Sequence, residues 1–300
     1  MIELPSGIEI NNLIDDLRFL SWEAAEILLY YSKILKDSNF KKNILKNNSM
    51  DDPVTIADLK VNKTVIQRIN DKYKDVDWEI LSEENVKFSS NDFNGNTDWI
   101  WILDPLDGTK DFIQGTSNYA IHLALNYKQK PFIGIVLIPD RDELWIACNR
   151  KVWCEKRNGT KKFFKRLSPS IIKEMTLVSS KNHRNQTLKN LIEKINFKKV
   201  VEMGSVGCKI ASILRGEADI YICLSLPGKS SPKDWDFAAP AAIIEAAGGA
   251  ITNLDNEELT FGRKNFQQGG IIIASMDKKN HGNLCNQIKE TIKKFNLYPL

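Results

Sequence analysis

Six consecutive residues of this 300-residue chain, Asp104-Pro105-Leu106-Asp107-Gly108-Thr109, set two carboxylates three positions apart on a segment built to turn. Pro105 fixes one backbone angle and removes a donor, and Gly108 opens conformations closed to other residues. The apolar run Trp99-Ile100-Trp101-Ile102-Leu103 just before them reads as a strand, so both acids emerge where a strand ends. Such a turn can aim Asp104, Asp107 and an intervening carbonyl at one point. Hard cations such as Mg²⁺ take oxygen ligands of this kind. Asp and Gly are also ordinary turn residues, so the segment alone carries two readings.

Two further acidic segments change the balance. Leu81-Ser82-Glu83-Glu84 places carboxylates after another short apolar run, and Asp234-Trp235-Asp236 stands immediately before a helix expected over Phe237–Ala247. Taken by itself, Asp236 reads as readily as a helix cap. Gly228-Lys229-Ser230 imitates the end of a phosphate-binding loop, but Cys223 occupies the position where the first glycine belongs. His122 falls within a strand pattern and reads as a packed, satisfied side chain. Gly204-Ser205-Val206-Gly207 lacks the spacing of a nucleophile elbow.

The elements that must position these residues follow from periodicity. Leu13, Leu17, Leu20, Ala24, Ile27, Leu28 and Tyr31 share one helical face, and a second helix is expected from about Ala57 to Tyr73. Strands follow at 78–81, 99–103, 119–127 and 131–138, the last two joined by Lys128-Gln129-Lys130, and the meander continues at 143–148 and 152–156. Helices followed by consecutive antiparallel strands indicate an α+β half over residues 1–167. Over 168–300 strands (175–179, 199–202, 219–223, 270–274) alternate with helices (188–195, 210–214, 237–247), which indicates an α/β half.

Composition excludes several classes. Forty-two basic against 38 acidic residues leave a net charge of +4, too mild for a nucleic-acid coat. The run Lys41-Lys42-Asn43-Ile44-Leu45-Lys46 reads as a solvated face. No stretch of about 18 apolar residues could span a membrane. Glu3, Glu9, Asp15 and Asp16 replace the basic start of a secretory signal. Five scattered cysteines, Cys148, Cys154, Cys208, Cys223 and Cys285, read as reduced and buried in a cytoplasmic protein.

With Ser82-Glu83-Glu84, Asp104 to Thr109, and Trp235-Asp236-Phe237-Ala238-Ala239 followed by Gly248-Gly249, the chain resembles the inositol monophosphatase superfamily of Mg²⁺-dependent, lithium-sensitive phosphomonoesterases. Three motifs in register span nearly the whole chain. The resemblance implies a layered α-β-α-β-α sandwich with the site between the halves. It implies Glu83, Asp104 and the Leu106 carbonyl as ligands of one Mg²⁺, and Asp104, Asp107 and Asp236 as ligands of a second, with a third, weaker ion near Glu83. Asp52-Pro53-Val54-Thr55-Ile56-Ala57-Asp58 matches the segment whose final acid pairs with the motif threonine. Asp58 and Thr109 are therefore expected to orient and help deprotonate the attacking water. The residues alone mark Asp58 only as an early-helix acid favourable to the dipole.

Lys110-Asp111-Phe112 resembles the CysQ-like branch, 3′(2′),5′-bisphosphate nucleotidases of sulfur metabolism, and Pro240 agrees with some nucleotidases. The resemblance implies hydrolysis of adenosine 3′,5′-bisphosphate to AMP and phosphate. The alternatives are an inositol-1-phosphatase, a broad sugar-phosphatase acting on fructose 1,6-bisphosphate, and a catalytically dead metal-binding scaffold. Gly108, Lys110, Ser180, His183, Ser205 and Lys209 are the expected substrate contacts, with Ser179 and Arg184 as further candidates for holding a second phosphate. Monomer and homodimer both remain open.

Overall fold

The structure, a computed structural model, describes residues 3–35, 45–47, 54–88, 93–162, 168–182 and 184–299. Helix α1 (Ile10–Leu35) and helix α2 (Ile56–Lys72) pack on each other through the expected faces, Leu13, Leu17, Leu28 and Tyr31 from one and Ala57, Val61, Val65 and Ile69 from the other. A two-stranded ribbon, β1 (Leu45–Asn47) with β2 (Val54–Thr55), leads into α2. Thr55 caps α2 in a capping box: its hydroxyl accepts the Ala57 and Asp58 N–H groups, and Asp58 accepts the Thr55 N–H.

Seven strands form the first sheet in sequence order: β3 (Glu79–Ser82), β4 (Trp99–Asp107), β5 (Ala120–Tyr127), β6 (Lys130–Ile138), β7 (Glu143–Cys148), β8 (Lys151–Glu155) and β9 (Lys161–Lys162). Only the β3–β4 pair is parallel. Alternation sorts the faces: Trp99, Trp101 and Leu103 turn toward α1 and α2, while Ile100 and Ile102 turn to the other side. Strand β4 extends past Leu103, where the apolar pattern ends, and carries Asp104 and Asp107 on an irregular register.

The second sheet runs β11 (Lys199–Met203), β10 (Thr176–Ser180), β12 (Ile220–Leu224), β14 (Ile271–Ser275), β13 (Ala250–Asn253). Between the sheets lie α6 (Val206–Arg215) and α7 (Asp234–Ala246), and outside the second sheet lie α5 (Gln186–Ile195) and α8 (Lys278–Phe295). The layers are therefore α-β-α-β-α, as the resemblance implies. Residues 163–167, where the two halves were expected to meet, lie outside the described residues. The largest apolar cluster joins both sheets through α6 and α7.

Short helices α3 (Glu83–Phe88) and α4 (Thr109–Gln114), strand β13 and helix α8 have no counterpart in the periodicity reading. Helix α7 begins at Asp234, three residues earlier than expected, so Asp236 lies within its first turn instead of before it. Pro240, expected near that first turn, lies in the helix interior, where its ring removes the N–H that would close onto the Asp236 carbonyl. The sheet can approach α7 closely because Gly134 has no side chain; a Cβ there would stand 2.3 Å from the Ala242 Cβ. Among the described residues no helix is long and apolar enough to cross a membrane. All five cysteines are free thiols, and all but Cys223 are buried.

Candidate active site

The end of β4 meets the starts of α6 and α7 at one acidic point. Asp104, Asp107 and Asp236 each offer a carboxylate oxygen, and these oxygens lie within 4.8 Å of one another. Asp104 is buried, and its Oδ1 accepts the Leu106 N–H at 3.0 Å, which curls the chain back over Pro105. Asp107 accepts the Ser205 hydroxyl at 2.8 Å and the Val206 N–H. Asp236 accepts the Lys233 N–H at 2.5 Å. Each carboxylate is thus fixed by its own local bonds before any cation is added.

Burial raises the Asp104 carboxyl well above its usual range, and the charges of Glu83, Asp107 and Asp236 add to the rise. Burial, then Asp107 and Glu83, push Asp236 up to about 8. Like charges held this close in a low-dielectric site cannot all ionise without a counter-charge. The donor set is all oxygen, and that composition fits a hard divalent cation such as Mg²⁺. Glu83 stands at the start of α3 and also forms an ion pair with Lys87 at 2.8 Å, one helical turn on.

Beside this cluster sits the second expected pair. Thr109 Oγ1 lies 3.2 Å from Asp58 Oδ1 and 3.0 Å from the Leu106 carbonyl, and its one hydroxyl hydrogen can go to either. The other Asp58 oxygen accepts both the N–H and the hydroxyl of Thr55. Burial raises Asp58 to about 7, with Thr55 pulling it down and Glu83 pushing it further up. The capping box that starts α2 therefore also aims Asp58 at the β4 turn. Gly108 makes that turn possible at φ +91°, and a Cβ there would stand 2.8 Å from the Asn118 carbonyl.

The expected substrate contacts divide. Lys209 is buried on α6, with Nζ 3.0 Å from the Ser205 carbonyl and over the Tyr221 ring. Burial lowers its pKa, while Asp107 raises it. The Ser205 hydroxyl is engaged on both sides, by Asp107 and by the Cys208 N–H. Lys110 lies half-buried in α4 with no side-chain hydrogen bond or ion pair among the described residues. Ser180 closes β10 opposite Met203, and Ser179 is buried in the same strand. Arg184 forms an ion pair with Glu202. His183 lies outside the described residues.

Asp111 joins the two halves. It is fully buried, and it accepts the Thr116 hydroxyl at 2.7 Å and the Asn182 amide at 2.8 Å. Gly204 presses on it: an added Cβ would stand 2.2 Å from Asp111 Oδ2 and 2.7 Å from the Asn118 carbonyl. Gly204→Ala is therefore expected to push the start of α6, and with it Ser205 and Val206, away from Asp107. The cost in stability should be about 1–3 kcal/mol, with a further loss of divalent-metal affinity. Urea melts and a calorimetric Mg²⁺ titration would measure the two.

Sequence reasoning does not single out His122 as part of the site. As expected it is packed and satisfied, fully buried on β5, but its ring also reaches Asp107, Gly207 and Trp235. Its sequence neighbours, Ile121 and Leu123, signal only a strand.

The chain is similar to known proteins over most of its length. The chain is 32% identical over 202 residues to a 3′(2′),5′-bisphosphate nucleotidase CysQ of Buchnera aphidicola, covering 66% of this chain and 71% of that one. It is 26% identical over 226 residues to the protein of the same name from Escherichia coli K12, covering 74% and 85%. In fold it resembles an IMPase from Thermotoga maritima (TM-score 0.69, 19% identity, 94% of this chain and 99% of that one). An inositol monophosphatase from Anabaena is similarly alike (TM-score 0.69, 21% identity, 94% and 96%). The model of the inositol monophosphatase family matches residues 14–293, and the chain belongs to that family.

Proposed function

We propose that the chain is a Mg²⁺-dependent phosphomonoesterase that hydrolyses adenosine 3′,5′-bisphosphate to AMP and phosphate. The observation that carries the chemistry is the meeting of Asp104, Asp107 and Asp236 beside the Asp58–Thr109 pair. The name shared by the CysQ relatives supports the nucleotide as substrate. Glu83, Asp104, the Leu106 carbonyl, Asp107 and Asp236 would hold two Mg²⁺ ions. Bound there, the metal supplies positive charge for the phosphoryl oxygens and acidifies water.

The chain's own residues do the rest. When Thr109 gives its hydrogen to Asp58 Oδ1, its oxygen lone pair is free to accept a hydrogen bond from a water, which orients that water for attack. Asp58, buried and raised to about 7, is suited to drawing the proton away through Thr109. The water oxygen bonds to phosphorus while the phosphorus–O3′ bond breaks; O3′ takes up a proton from solvent and leaves as a hydroxyl, and the proton gathered by Asp58 returns to solvent. The start of α7, which carries Asp236, would bring the positive end of its dipole toward the phosphate. Lys209, buried between Asp107 and Tyr221, adds a cation on the substrate side.

Phosphate release with Mg²⁺ tests the reading, comparing adenosine 3′,5′-bisphosphate, inositol 1-phosphate and fructose 1,6-bisphosphate at equal concentration. The nucleotide should be preferred by roughly a hundredfold in kcat/KM, nearly 3 kcal/mol of transition-state binding. Comparable rates on all three would replace this reading with a broad phosphatase. No release from any of them would leave a metal-binding scaffold.

A further inference from the structure

We propose that His122 is a positioning residue of the metal centre, a single imidazole that fixes the strand carrying Asp104 and Asp107 against the helix carrying Asp236. The inference rests on the metal-centre reading above. His122 is the cross-strand partner of Asp104 in the β4–β5 pairing. Its Nε2 stands 3.3 Å from Asp107 Oδ2 and 3.1 Å from the Gly207 nitrogen. Its Nδ1 stands 3.3 Å from the carbonyl of Trp235, the residue before Asp236. The ring therefore bonds the starts of α6 and α7 from a strand position that faces Asp104, and lies beside the Asp107 carboxylate.

The partners dictate the tautomer. The Trp235 carbonyl can only accept, so Nδ1 carries the hydrogen; the Gly207 N–H can only donate, so Nε2 is bare. The neutral ring satisfies both, and burial favours the neutral form. The first N–H groups of α6, which no helical carbonyl can serve, are thereby shared out: Val206 gives its N–H to Asp107, and Gly207 gives its N–H to His122. Gly207 is what admits the ring, since a Cβ there would stand 2.3 Å from Nε2 and 2.7 Å from a Val136 methyl.

Packing alone does not call for an imidazole at this place. The residues two before and two after it on β5, Ala120 and Ala124, turn small apolar side chains to the same face. A buried polar ring is tolerated only when its nitrogens are paired, and both pairings here lead to elements of the site. An apolar residue of similar size would fill the space, leave the Gly207 N–H unserved and remove the bond from β5 to the Trp235 carbonyl. The start of α6 would then rest on its bonds to Asp107, and the start of α7 would lose its bond to β5.

Calorimetric Mg²⁺ titration of three variants tests this. His122→Leu should weaken Mg²⁺ binding by about 10–100-fold, the range seen when groups that orient metal ligands are removed. His122→Asn, whose amide N–H₂ falls near the Nδ1 position and can still serve the Trp235 carbonyl, should recover most of that loss. In the nucleotide assay kcat should fall with metal affinity while the KM for nucleotide changes little. Melting in EDTA, where a purely structural role would appear, should differ little between the Leu and Asn variants. Should the Leu variant fail to fold, Gly207→Ala, which displaces the ring without removing it, should weaken Mg²⁺ binding by a similar factor. Wild-type Mg²⁺ affinity in His122→Leu, or in Gly207→Ala where the Leu variant is unfolded, would overturn the role of His122 and leave the metal centre standing. A wild-type chain that binds no Mg²⁺ would overturn both.

Discussion

Asp104→Asn should lower Mg²⁺-dependent phosphate release by roughly a thousandfold or more while making the metal-free chain more stable. Asp104 is the acid that the family resemblance assigns to both ions, and it is buried among other acids. An amide of the same shape keeps the Leu106 N–H bond, because its oxygen still accepts. It no longer offers a charge to a cation, and a thousandfold loss corresponds to about 4 kcal/mol of barrier, within what metal-derived charge stabilisation supplies. Without metal the same change removes one member of a repelling cluster. Wild type should therefore gain melting temperature as Mg²⁺ is added, since a ligand held only by the folded state stabilises it by about 2.7 kcal/mol at a hundred times its dissociation constant. Asp104→Asn should start higher in EDTA and respond little to Mg²⁺. Thermal melts with and without Mg²⁺, run beside the phosphate assay, separate the two effects. An active Asp104→Asn enzyme, or one that melts below wild type in EDTA, would contradict the metal-centre reading.

Asp104, Asp107, Gly108 and Thr109 share one short segment in which Pro, Gly and two acids sit together, and that local density is visible without a structure. Asp236 is harder, because a helix-start acid has an ordinary explanation, and only the fold brings it to the β4 turn. Asp58 has a similar ambiguity as an early-helix acid: it completes the capping box that Thr55 starts on α2, and its second oxygen still meets Thr109. His122 is not legible at all, since its partners Asp104, Gly207 and Trp235 come from three other elements and its neighbours are apolar. Asp111 misleads in another way. In sequence it stands only as part of the Lys110-Asp111-Phe112 resemblance, whereas its carboxylate is spent on Thr116 and Asn182 inside the protein.

The fold divides along similar lines. Long elements declare themselves, α1 by the period of its one buried face and the β5–β8 meander by apolar runs parted by polar turns. Helices α3 and α4, six residues each, are too short to show one. Strand β13 is four residues long and follows the Gly248-Gly249 turn, so little apolar pattern remains to mark it. Helix α8 does have apolar positions at helical spacing, Leu284, Cys285, Ile288 and Ile292, but they stand among lysines and asparagines that dilute the signal.

The metal-free chain is also expected to lose stability as the pH rises from 6.5 to 8, by on the order of 2–3 kcal/mol. In the folded state Asp58 is raised to about 7, Asp236 to about 8, and Asp104 well above its ordinary value, whereas the reference value for all three is 3.8. Across this window the folded chain holds protons that the unfolded chain has already released, so raising the pH withdraws a stabilising proton from each. Groups of opposite sign act mainly elsewhere. His281, lowered to about 4 by burial between β13, β14 and α8, costs stability only as the pH falls below 6.5. His122 is lowered in the same direction, and Glu155 and Glu217, lowered by their arginine partners, matter only in more acid solution. Lys209, lowered by burial against the pull of Asp107, works against the trend toward higher pH. Mg²⁺ should invert the slope, because cations then take over from the released protons and bind more tightly as the carboxylates ionise. Urea unfolding at pH 6.5 and 8.0, each in EDTA and in Mg²⁺, measures all four corners. A metal-free chain whose stability is flat or rising across this range would mean that the acids are not held as a repelling cluster, and the case for a cation at the β4 turn would fall with them.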